Sequence, residues 1–161
     1  MAIRPAVEGD IEAIREIARE TWVQAYSEVM ESSDLQRRVL EEGFYSDSYI
    51  LDSIECEKAV FLVHESQGKI TGFCHTEYLD VSPSGEVRSH DVAELRKLYV
   101  SPNHWREGKG SELLQKSVEV LPGFIENVRI HVLKDNSRAK KFYRVHGFEK
   151  TGKEKIRIWG E

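Results

Sequence analysis

The chain has 161 residues, of which 40% are hydrophobic and 32% are charged, and its net charge is −5 with histidine neutral. This composition excludes an intrinsically disordered chain, and the lack of a basic stripe argues against a protein that coats nucleic acid. No apolar run approaches the roughly 20 residues of a membrane span, and the first ten residues do not resemble a signal peptide. We expect a single domain over residues 1–161 in the cytoplasm, with no nucleic-acid or membrane partner.

The N-terminal half predicts a short strand followed by helices. "AIRP" is typical of a strand that ends at proline, and Asp10 is expected to cap the helix that follows. Apolar residues spaced three and four apart define that helix, namely Ile11, Ile14, Ala18, Trp22, Ala25 and Val29. Asp34 is expected to begin a second helix, and "SDSYILDSIE" predicts a third helical segment.

The remainder alternates strands with helices. "KAVFLVHES", "KITGFCHTEYLDV" and "DVAELRKLYV" predict three antiparallel strands, and a helix with Leu113, Leu114, Val118 and Leu121 follows. Next come a strand at "NVRIHVL", a helix opening at Asn136, and strands near "FEKTGKE" and "KIRIW". This order predicts an α+β fold with a mixed, mostly antiparallel sheet of about six to seven strands. An edge strand near residues 154–159 would make a homodimer plausible.

Cysteines and histidines give no metal or redox motif. Cys56 and Cys74 lie too far apart in sequence for such a motif, so we expect both to be reduced and at least partly buried. Apart from His75, which is considered below, the histidines lack the spacing of metal ligands, and we expect no metal site. They are His64, His90, His104, His131 and His146.

Two glycines lie between the predicted strand "ELRKLYVSP" and the helix that follows it. A nucleotide P-loop is excluded because Lys109 is followed by Gly110 and no glycine lies five residues before Gly108. A dinucleotide fingerprint is excluded because Leu113 stands where a third glycine is required. A looser anion site remains, with backbone amides at a helix start and Arg106 and Lys109 at its rim. The alternative is a loop whose glycines only close a tight turn.

The stretch "AELRKLYVSPNHWREGKGSELL", followed about twenty residues later by "VLKDNSRAKKFYRVHGFEKTG", resembles the GNAT family of acetyl-CoA-dependent N-acetyltransferases. The family pattern of Gln or Arg, two residues, Gly, one residue, and Gly or Ala falls on residues 105–110, with Trp105 at its first position. The second stretch matches through Asn136, Ala139, Phe142, Tyr143 and "HGF" at 146–148. The order of predicted elements agrees over the whole chain. The resemblance implies helices on both faces of the sheet and a splayed central strand pair.

The resemblance implies acetyl-CoA as cofactor, with coenzyme A as product. The pantetheine arm would pair with the backbone of Leu98, Tyr99 and Val100, and an amide of Leu98 or Tyr99 would donate to the developing oxyanion. The diphosphate would lie on backbone amides that begin at Trp105 or Arg106, the expected contacts being Arg106, Glu107, Gly108, Lys109, Gly110 and Ser111. On the last helix, Asn136, Ala139 and Tyr143 would complete the cofactor site. Asn136 could equally be a plain helix cap.

The same resemblance suggests the acid and the base. Tyr143 would be the general acid, because a phenol with an ordinary pKa of about 10 stays protonated at neutral pH and can protonate a thiolate. Its alternative is ordinary core packing beside Phe142. Glu94 would be the base that deprotonates the amine, directly or through water; its alternative is a solvated charge on the strand. His75 and Glu77 on the neighbouring strand are the fallback bases.

The first helices are expected to form the acceptor pocket. Trp22 and Tyr26 lie four residues apart on one helix face, where aromatic rings could hold an amine cation or could simply pack on the sheet. Acidic residues at this end favour a cationic acceptor, namely Glu20, Glu28 and Glu31.

The sequence therefore predicts an N-acetyltransferase that moves an acetyl group from acetyl-CoA to a primary amine by direct attack in a ternary complex. A small cationic amine or polyamine is the favoured acceptor. One alternative is a protein N-terminal or lysine acetyltransferase with a peptide acceptor. The other is a non-catalytic CoA-binding sensor module.

Overall fold

The structure, a computed structural model, describes residues 2–26, 46–78, 92–130, 132 and 137–149, and for residues 22–26 it describes the backbone only. The strands are β1 (Ala2–Pro5), β2 (Ala59–Ser66), β3 (Lys69–Glu77), β4 (Val92–Val100) and β5 (Asn127–Ile130). The helices are α1 (Ile11–Tyr26), α2 (Asp47–Glu55), α3 (Lys109–Glu119) and α4 (Ser137–Val145). Short 3-10 turns at Glu8–Asp10 and Pro102–His104 precede α1 and the glycine loop. No helix in these ranges is long and apolar enough to cross a membrane.

The strands form one mixed sheet in the order β1-β2-β3-β4-β5. The first four are antiparallel neighbours, and β5 runs parallel to β4. The predicted α+β fold with a mixed, mostly antiparallel sheet is therefore confirmed, although five strands are described where about six to seven were expected. The helix predicted from Asp34 and the dimer edge at residues 154–159 lie outside the described residues, as do almost all of the last two predicted strands.

Helices cover both faces of the sheet, as the resemblance implied. On one face α1 and α2 pack against the sheet through a cluster of buried residues: Ala6, Ile14, Ile17, Ala18, Ile50, Phe61, Val63 and Phe73. On the other face α3 and α4 pack against a second cluster whose buried members are Leu62, Cys74, Leu95, Leu113 and Leu114. Cys74 is buried and Cys56 is partly buried, and both are free thiols, as expected.

The start of α1 differs in detail from the prediction. The helix begins at Ile11, directly after Asp10, but the Asp10 carboxylate does not bond the first helical turn. It accepts hydrogen bonds from the Val7 amide at 2.9 Å and from the Arg4 guanidinium at 2.8 and 3.0 Å. Arg4 also donates to Glu65 of β2, at 2.8 Å. Asp10 is therefore anchored to β1 through Arg4, which also bonds β2, and does not act as an ordinary helix cap.

β4 runs through the sheet between β3 and β5. The described pairing of β5 with β4 covers Val92–Leu95, and β4 continues beyond it to Val100. The predicted splay of these two strands would lie past Ile130, where β5 is not described. The pairing of β3 with β4 also shifts between His75 and Thr76, which leaves Arg96 as an extra residue in β4. Such a bulge changes which face the following side chains point to.

Candidate active site

The turn after β4 has the backbone of an anion site. Gly108 takes a left-handed conformation, with φ of +81°, and immediately precedes α3. No side chain caps this end of the helix. Because the first amides of an α-helix lack partners within the helix, they are available to a bound anion. Arg106 also has a positive φ, of +68°, which a side-chain-bearing residue rarely adopts.

The start of α3 is set close to the sheet by Gly72 of β3. A Cβ atom at Gly72 would lie 3.0 Å from the Tyr99 carbonyl oxygen and 3.1 Å from Leu113 Cδ1, so the helix could not approach as closely over a larger residue. Gly110 has more room, because a Cβ there would lie 3.6 Å from the Phe142 ring. Gly72 was not singled out from the sequence, since a glycine within a strand pattern indicates only a bulge or a close approach.

The end of β4 turns the backbone groups of two residues away from β3. The Ser101 amide donates to the Thr71 carbonyl of β3 at 2.8 Å, and the Tyr99 carbonyl also faces β3. Since alternate residues of a strand turn their backbone groups to opposite sides, the amides of Leu98 and Val100 point away from β3. Of the two amides considered for the oxyanion, that of Leu98 is the one that points away from β3.

Trp105 occupies the first position of the loop motif and is tied to the strand. Its indole Nε1 donates to the Val100 carbonyl at 2.7 Å. The guanidinium of Arg138, from α4, lies 3.5 Å from the centre of the indole ring. Arg138 was not identified from the sequence, because nothing in the order of residues shows that α4 crosses the loop at this tryptophan.

Helix α4 carries Tyr143 on the α3 side of the sheet. Its ring is partly buried and makes edge-on contacts with Phe142 and Phe148, at centroid distances of 5.1 and 5.5 Å. His146 follows the end of the helix. Its Nδ1 donates to the Phe142 carbonyl at 2.8 Å, and its Nε2 lies 2.9 Å from the Ser111 hydroxyl. The helix with the expected acid is thus joined directly to the first turn of α3.

Glu94 lies on the opposite face of the sheet. It pairs in register with Glu77 of β3, and its side chain is only 8% exposed. Arg96, the bulged residue, lies between the two carboxylates, with Nε 3.3 Å from Glu77 Oε2 and an amino nitrogen 3.6 Å from Glu94 Oε2. Arg129 of β5 approaches the other oxygen of Glu94 at 4.0 Å. Glu94 is therefore a buried, paired carboxylate and not a solvated strand charge.

His75 and Lys97 complete a buried ionisable cluster, which we define as His75, Glu77, Glu94, Arg96 and Lys97. His75 Nε2 lies 3.1 Å from Glu77 Oε1, and burial lowers the pKa of His75, which favours the neutral ring. Burial raises the pKa of Glu77, but contacts with His75 and Arg96 outweigh burial and lower it. Burial also lowers the pKa of Lys97 to about 7, with Glu77 acting against that shift and Arg96 adding to it.

The sequence analysis did not identify Lys97 or Arg96 as site residues. In a regular strand, Glu94 and Lys97 would lie on opposite faces of the sheet, because they are three residues apart. The bulge in β4 brings them to the same face. The Nζ atom of Lys97 lies 4.4 Å from the ring centre of Tyr49 in α2, which closes this side of the cluster.

Other expected site residues are less fully placed. Trp22 and Tyr26 lie in the last part of α1, where the backbone alone is described, and Asn136, Glu28 and Glu31 lie outside the described residues. Glu20 accepts a hydrogen bond from the Ser101 hydroxyl at 3.3 Å. Ala139 is partly buried on α4. Among the described residues no group of His, Cys, Asp or Glu could hold a metal ion.

The described residues fit a nucleotide thioester. The start of α3, which no side chain caps, suits a diphosphate, and the end of β4 from Leu98 to Val100, beyond its described pairing with β5, suits the amide-bearing pantetheine arm. Basic side chains lie at the same loop, Lys109 being buried within it.

Comparison with known proteins decides the family. The sequence profile of the Acetyltransferase (GNAT) family matches residues 11–148. The chain belongs to this family. The GNAT fold, with its mixed sheet and helices on both faces, is the one described above. As a GNAT acetyltransferase the chain is an acyltransferase, and acetyl-CoA is its cofactor.

Relatives of this GNAT protein include enzymes with different acceptors. It is 25% identical over 145 residues to a spermidine N(1)-acetyltransferase from Thermoplasma acidophilum, covering 87% of this chain and 83% of the relative. The PaiA N-acetyltransferase of the same organism, solved in complex with coenzyme A, superposes with a TM-score of 0.79 at 24% identity, covering 96% and 94% of the two chains. An aminoglycoside 6′-N-acetyltransferase from Acinetobacter haemolyticus gives 0.65 at 18% identity, covering 95% and 94%.

Proposed function

We propose that this GNAT protein transfers an acetyl group from acetyl-CoA to a primary amine by direct attack in a ternary complex, with a small cationic amine or polyamine as the favoured acceptor. One observation carries the proposal. Tyr143 lies on the α3 and α4 face of the sheet, and the buried carboxylate of Glu94 lies on the other face, beside the last described pair of β4 and β5. An acid and a base on opposite faces of one sheet suit a reaction in which two substrates meet from two sides.

The cofactor side is formed by the loop, the strand edge and α4. The backbone amides of residues 106–111 would hold the diphosphate, with Lys109 and Arg106 adding positive charge. Leu98, Tyr99 and Val100 would align the pantetheine arm, and the Leu98 amide would donate to the thioester oxygen as negative charge grows there. Ala139 and Asn136 would contact the arm from α4. The bound acetyl-CoA supplies the activated acyl group; the protein supplies orientation and charge.

Proton transfer is assigned to two residues. Glu94 would take the proton of the attacking amine, directly or through a water molecule, because it is a buried ionisable group on β4, opposite the face that carries Tyr143. Tyr143 would donate its phenolic proton to the leaving sulfur. Glu77 and His75 are less suited to act as the base, because Glu77 is held ionised between His75 and Arg96.

The carboxylates of Glu77 and Glu94 would attract a cationic acceptor. Arg96 and Arg129 offset part of their charge, but burial lowers the pKa of Lys97 to about 7, so Lys97 adds little positive charge above neutral pH. Trp22 and Tyr26, at the end of α1, would hold the amine from the helical side. The relative named for spermidine supports a polyamine.

Two alternatives remain for the acceptor and the activity. A peptide N-terminus or lysine could replace the small amine. A sensor that binds CoA without turnover is disfavoured, because the chain belongs to an acyltransferase family and buries an ionisable cluster on β3 and β4.

The test is release of free CoA thiol in the presence of acetyl-CoA and separate amines. The panel holds spermidine, an aminoglycoside, free lysine, and peptides with a free N-terminus or a single lysine. Tyr143→Phe tests the acid, and Gly110→Glu blocks the anion site with a carboxylate. We expect release with spermidine that falls at least about tenfold in both variants.

Release with peptides and not with spermidine would replace the favoured acceptor by a protein. Tight binding of CoA with no release from any amine would contradict the proposed activity. Failure of CoA to bind would contradict the placement of the cofactor as well.

A further inference from the structure

We propose that Trp105 positions Arg138 of α4 over the diphosphate site, so that Arg138 and Arg106 together form a cationic clamp on the diphosphate of coenzyme A. The proposal concerns how this chain binds its cofactor and rests on the family's use of acetyl-CoA, not on the acceptor amine.

The first step is the fixed position of the indole. Trp105 donates to the Val100 carbonyl at 2.7 Å, which fastens the ring to the last residue of β4. Its own backbone amide lies 3.3 Å from the Pro102 carbonyl, in the 3-10 turn that precedes it. Trp105 is therefore held by both its backbone and its side chain, next to the strand edge where the pantetheine arm would lie.

The second step is the guanidinium on that ring. The central carbon of Arg138 lies 3.5 Å from the indole centre, a distance at which a flat cation stacks on an aromatic face. Arg138 is in the first turn of α4 and is exposed, so its side chain would otherwise be free to adopt many rotamers. Stacking on Trp105 selects those that remain beside the loop.

Arg138 lies near a second positive charge, because Arg106 directly follows the tryptophan on which Arg138 stacks. Partial desolvation and the positive charge of Arg106 both lower the pKa of Arg138, in keeping with that placement. Arg106 itself has a left-handed backbone. Two cations that converge beside an uncapped helix start are stabilised by an anion between them, and a diphosphate offers enough oxygens for both.

This arrangement also accounts for the departure at Trp105. Where the family pattern has Gln or Arg, this chain has an aromatic residue that cannot contact a phosphate through a charge. The cationic group comes instead from α4, and the tryptophan acts on the cofactor through Arg138. Trp105 is thus a positioning residue, and Arg138 is a binding residue.

The test is isothermal calorimetry of coenzyme A and of 3′-dephospho-CoA, which keeps the diphosphate, at low and high salt. The variants are Arg138→Gln, Arg138→Lys, Trp105→Leu and Trp105→Phe. Arg144→Gln is the matched control, because it removes one exposed arginine from the last turn of the same helix. Thermal unfolding of each variant confirms that it is folded.

We expect Arg138→Gln and Trp105→Leu to lower the affinity for both ligands by about tenfold or more, which is the effect of losing a charge-assisted contact. Arg138→Lys and Trp105→Phe should each recover part of the affinity. Raising the salt from about 0.05 M to about 0.5 M should reduce the difference in affinity between the wild type and Arg138→Gln. Salt screens the contact between Arg138 and the diphosphate, which only the wild type makes. Arg144→Gln should bind as the wild type does.

Three results would overturn the proposal. Arg138→Gln could bind both ligands as tightly as Arg144→Gln does. The loss could appear with coenzyme A and not with 3′-dephospho-CoA, which would move Arg138 to the 3′-phosphate. The loss could also be independent of salt, which would make it a consequence of altered packing.

Discussion

His146 Nε2 lies 2.9 Å from the Ser111 hydroxyl and joins the helix that carries Tyr143 to the first turn of the helix at the anion site. In the neutral ring Nδ1 donates to the Phe142 carbonyl, so Nε2 accepts from Ser111. This imidazole therefore connects the helix of the expected acid to the helix that begins at the phosphate loop, beside the contacts of Arg138 with Trp105 and of Phe142 with Gly110.

Replacing that imidazole should weaken the binding of acetyl-CoA more than the binding of the amine. We expect His146→Ala to lower the free energy of unfolding by about 1–2 kcal/mol and to raise KM for acetyl-CoA more than KM for the amine. His146→Asn, which can still bond Ser111, should recover part of the loss. Chemical denaturation and steady-state kinetics measure the two effects, and an equal rise of both KM values would contradict the link.

Glu94→Gln should remove the base without removing the fold. We expect kcat to fall by about a hundredfold near pH 7, and the deficit to shrink as the pH rises toward the ordinary amine pKa of about 10.4, where the acceptor loses its proton to solvent. Glu119→Gln is the matched control, because that carboxylate is exposed at the end of α3. A deficit that stays constant with pH would show that Glu94 acts by position and not as a base.

Two glycine substitutions should separate close packing from loop geometry. Gly72→Ala should destabilise the protein by about 1–3 kcal/mol, since its methyl group would lie 3.0 Å from the Tyr99 carbonyl oxygen and 3.1 Å from Leu113. Gly110→Ala should be nearly neutral, because the same group there meets Phe142 at an ordinary 3.6 Å. Urea denaturation compares them; equal losses in both variants would contradict the packing of α3 on Gly72.

Lys97 should make stability depend on pH in a particular direction. Burial lowers its pKa to about 7 in the folded protein, against about 10.4 when unfolded, so between these values the unfolded chain binds more protons. The free energy of unfolding should therefore rise with pH from about 7 to about 10, by a few kcal/mol at most. Below pH 7 both states are protonated and the full cost of the buried charge remains.

Lys97→Met should lack that rise. Relative to the wild type, the variant should be most stable near pH 6 and should lose its advantage by about pH 10. Denaturation curves at several pH values measure the difference, and Lys116→Met, at an exposed ion pair of α3, is the control. A wild type and a Lys97→Met variant with parallel pH profiles would show that Lys97 is not buried as a charge.

The strand, turn and helix around Gly108 could be predicted from the sequence because their signals are local. Two glycines, a preceding strand pattern and an amphipathic helix lie within a few residues of each other, and the motif at Tyr143 follows in order. Membership of the family and the two-faced sheet followed from the same residues and are confirmed.

The buried ionisable cluster could not be predicted, because it depends on one extra residue. Leu95 and Leu98 lie three apart yet both pack on the α3 side, which no regular strand allows. Only the bulge at Arg96 places Lys97 and Glu94 on the same face. Neither glycine nor proline marks this bulge in the sequence. The contact of Arg138 with Trp105 could not be predicted either, because it joins α4 to a loop that is distant in the sequence.

The most direct test of the account is the initial-velocity pattern with acetyl-CoA and the active amine both varied, together with the mass of the protein after incubation with acetyl-CoA alone. Direct attack in a ternary complex predicts reciprocal plots that intersect and a protein mass that does not change. Parallel plots with an acetyl group retained on the protein would indicate a covalent acyl-enzyme and would contradict the roles given to Glu94 and Tyr143.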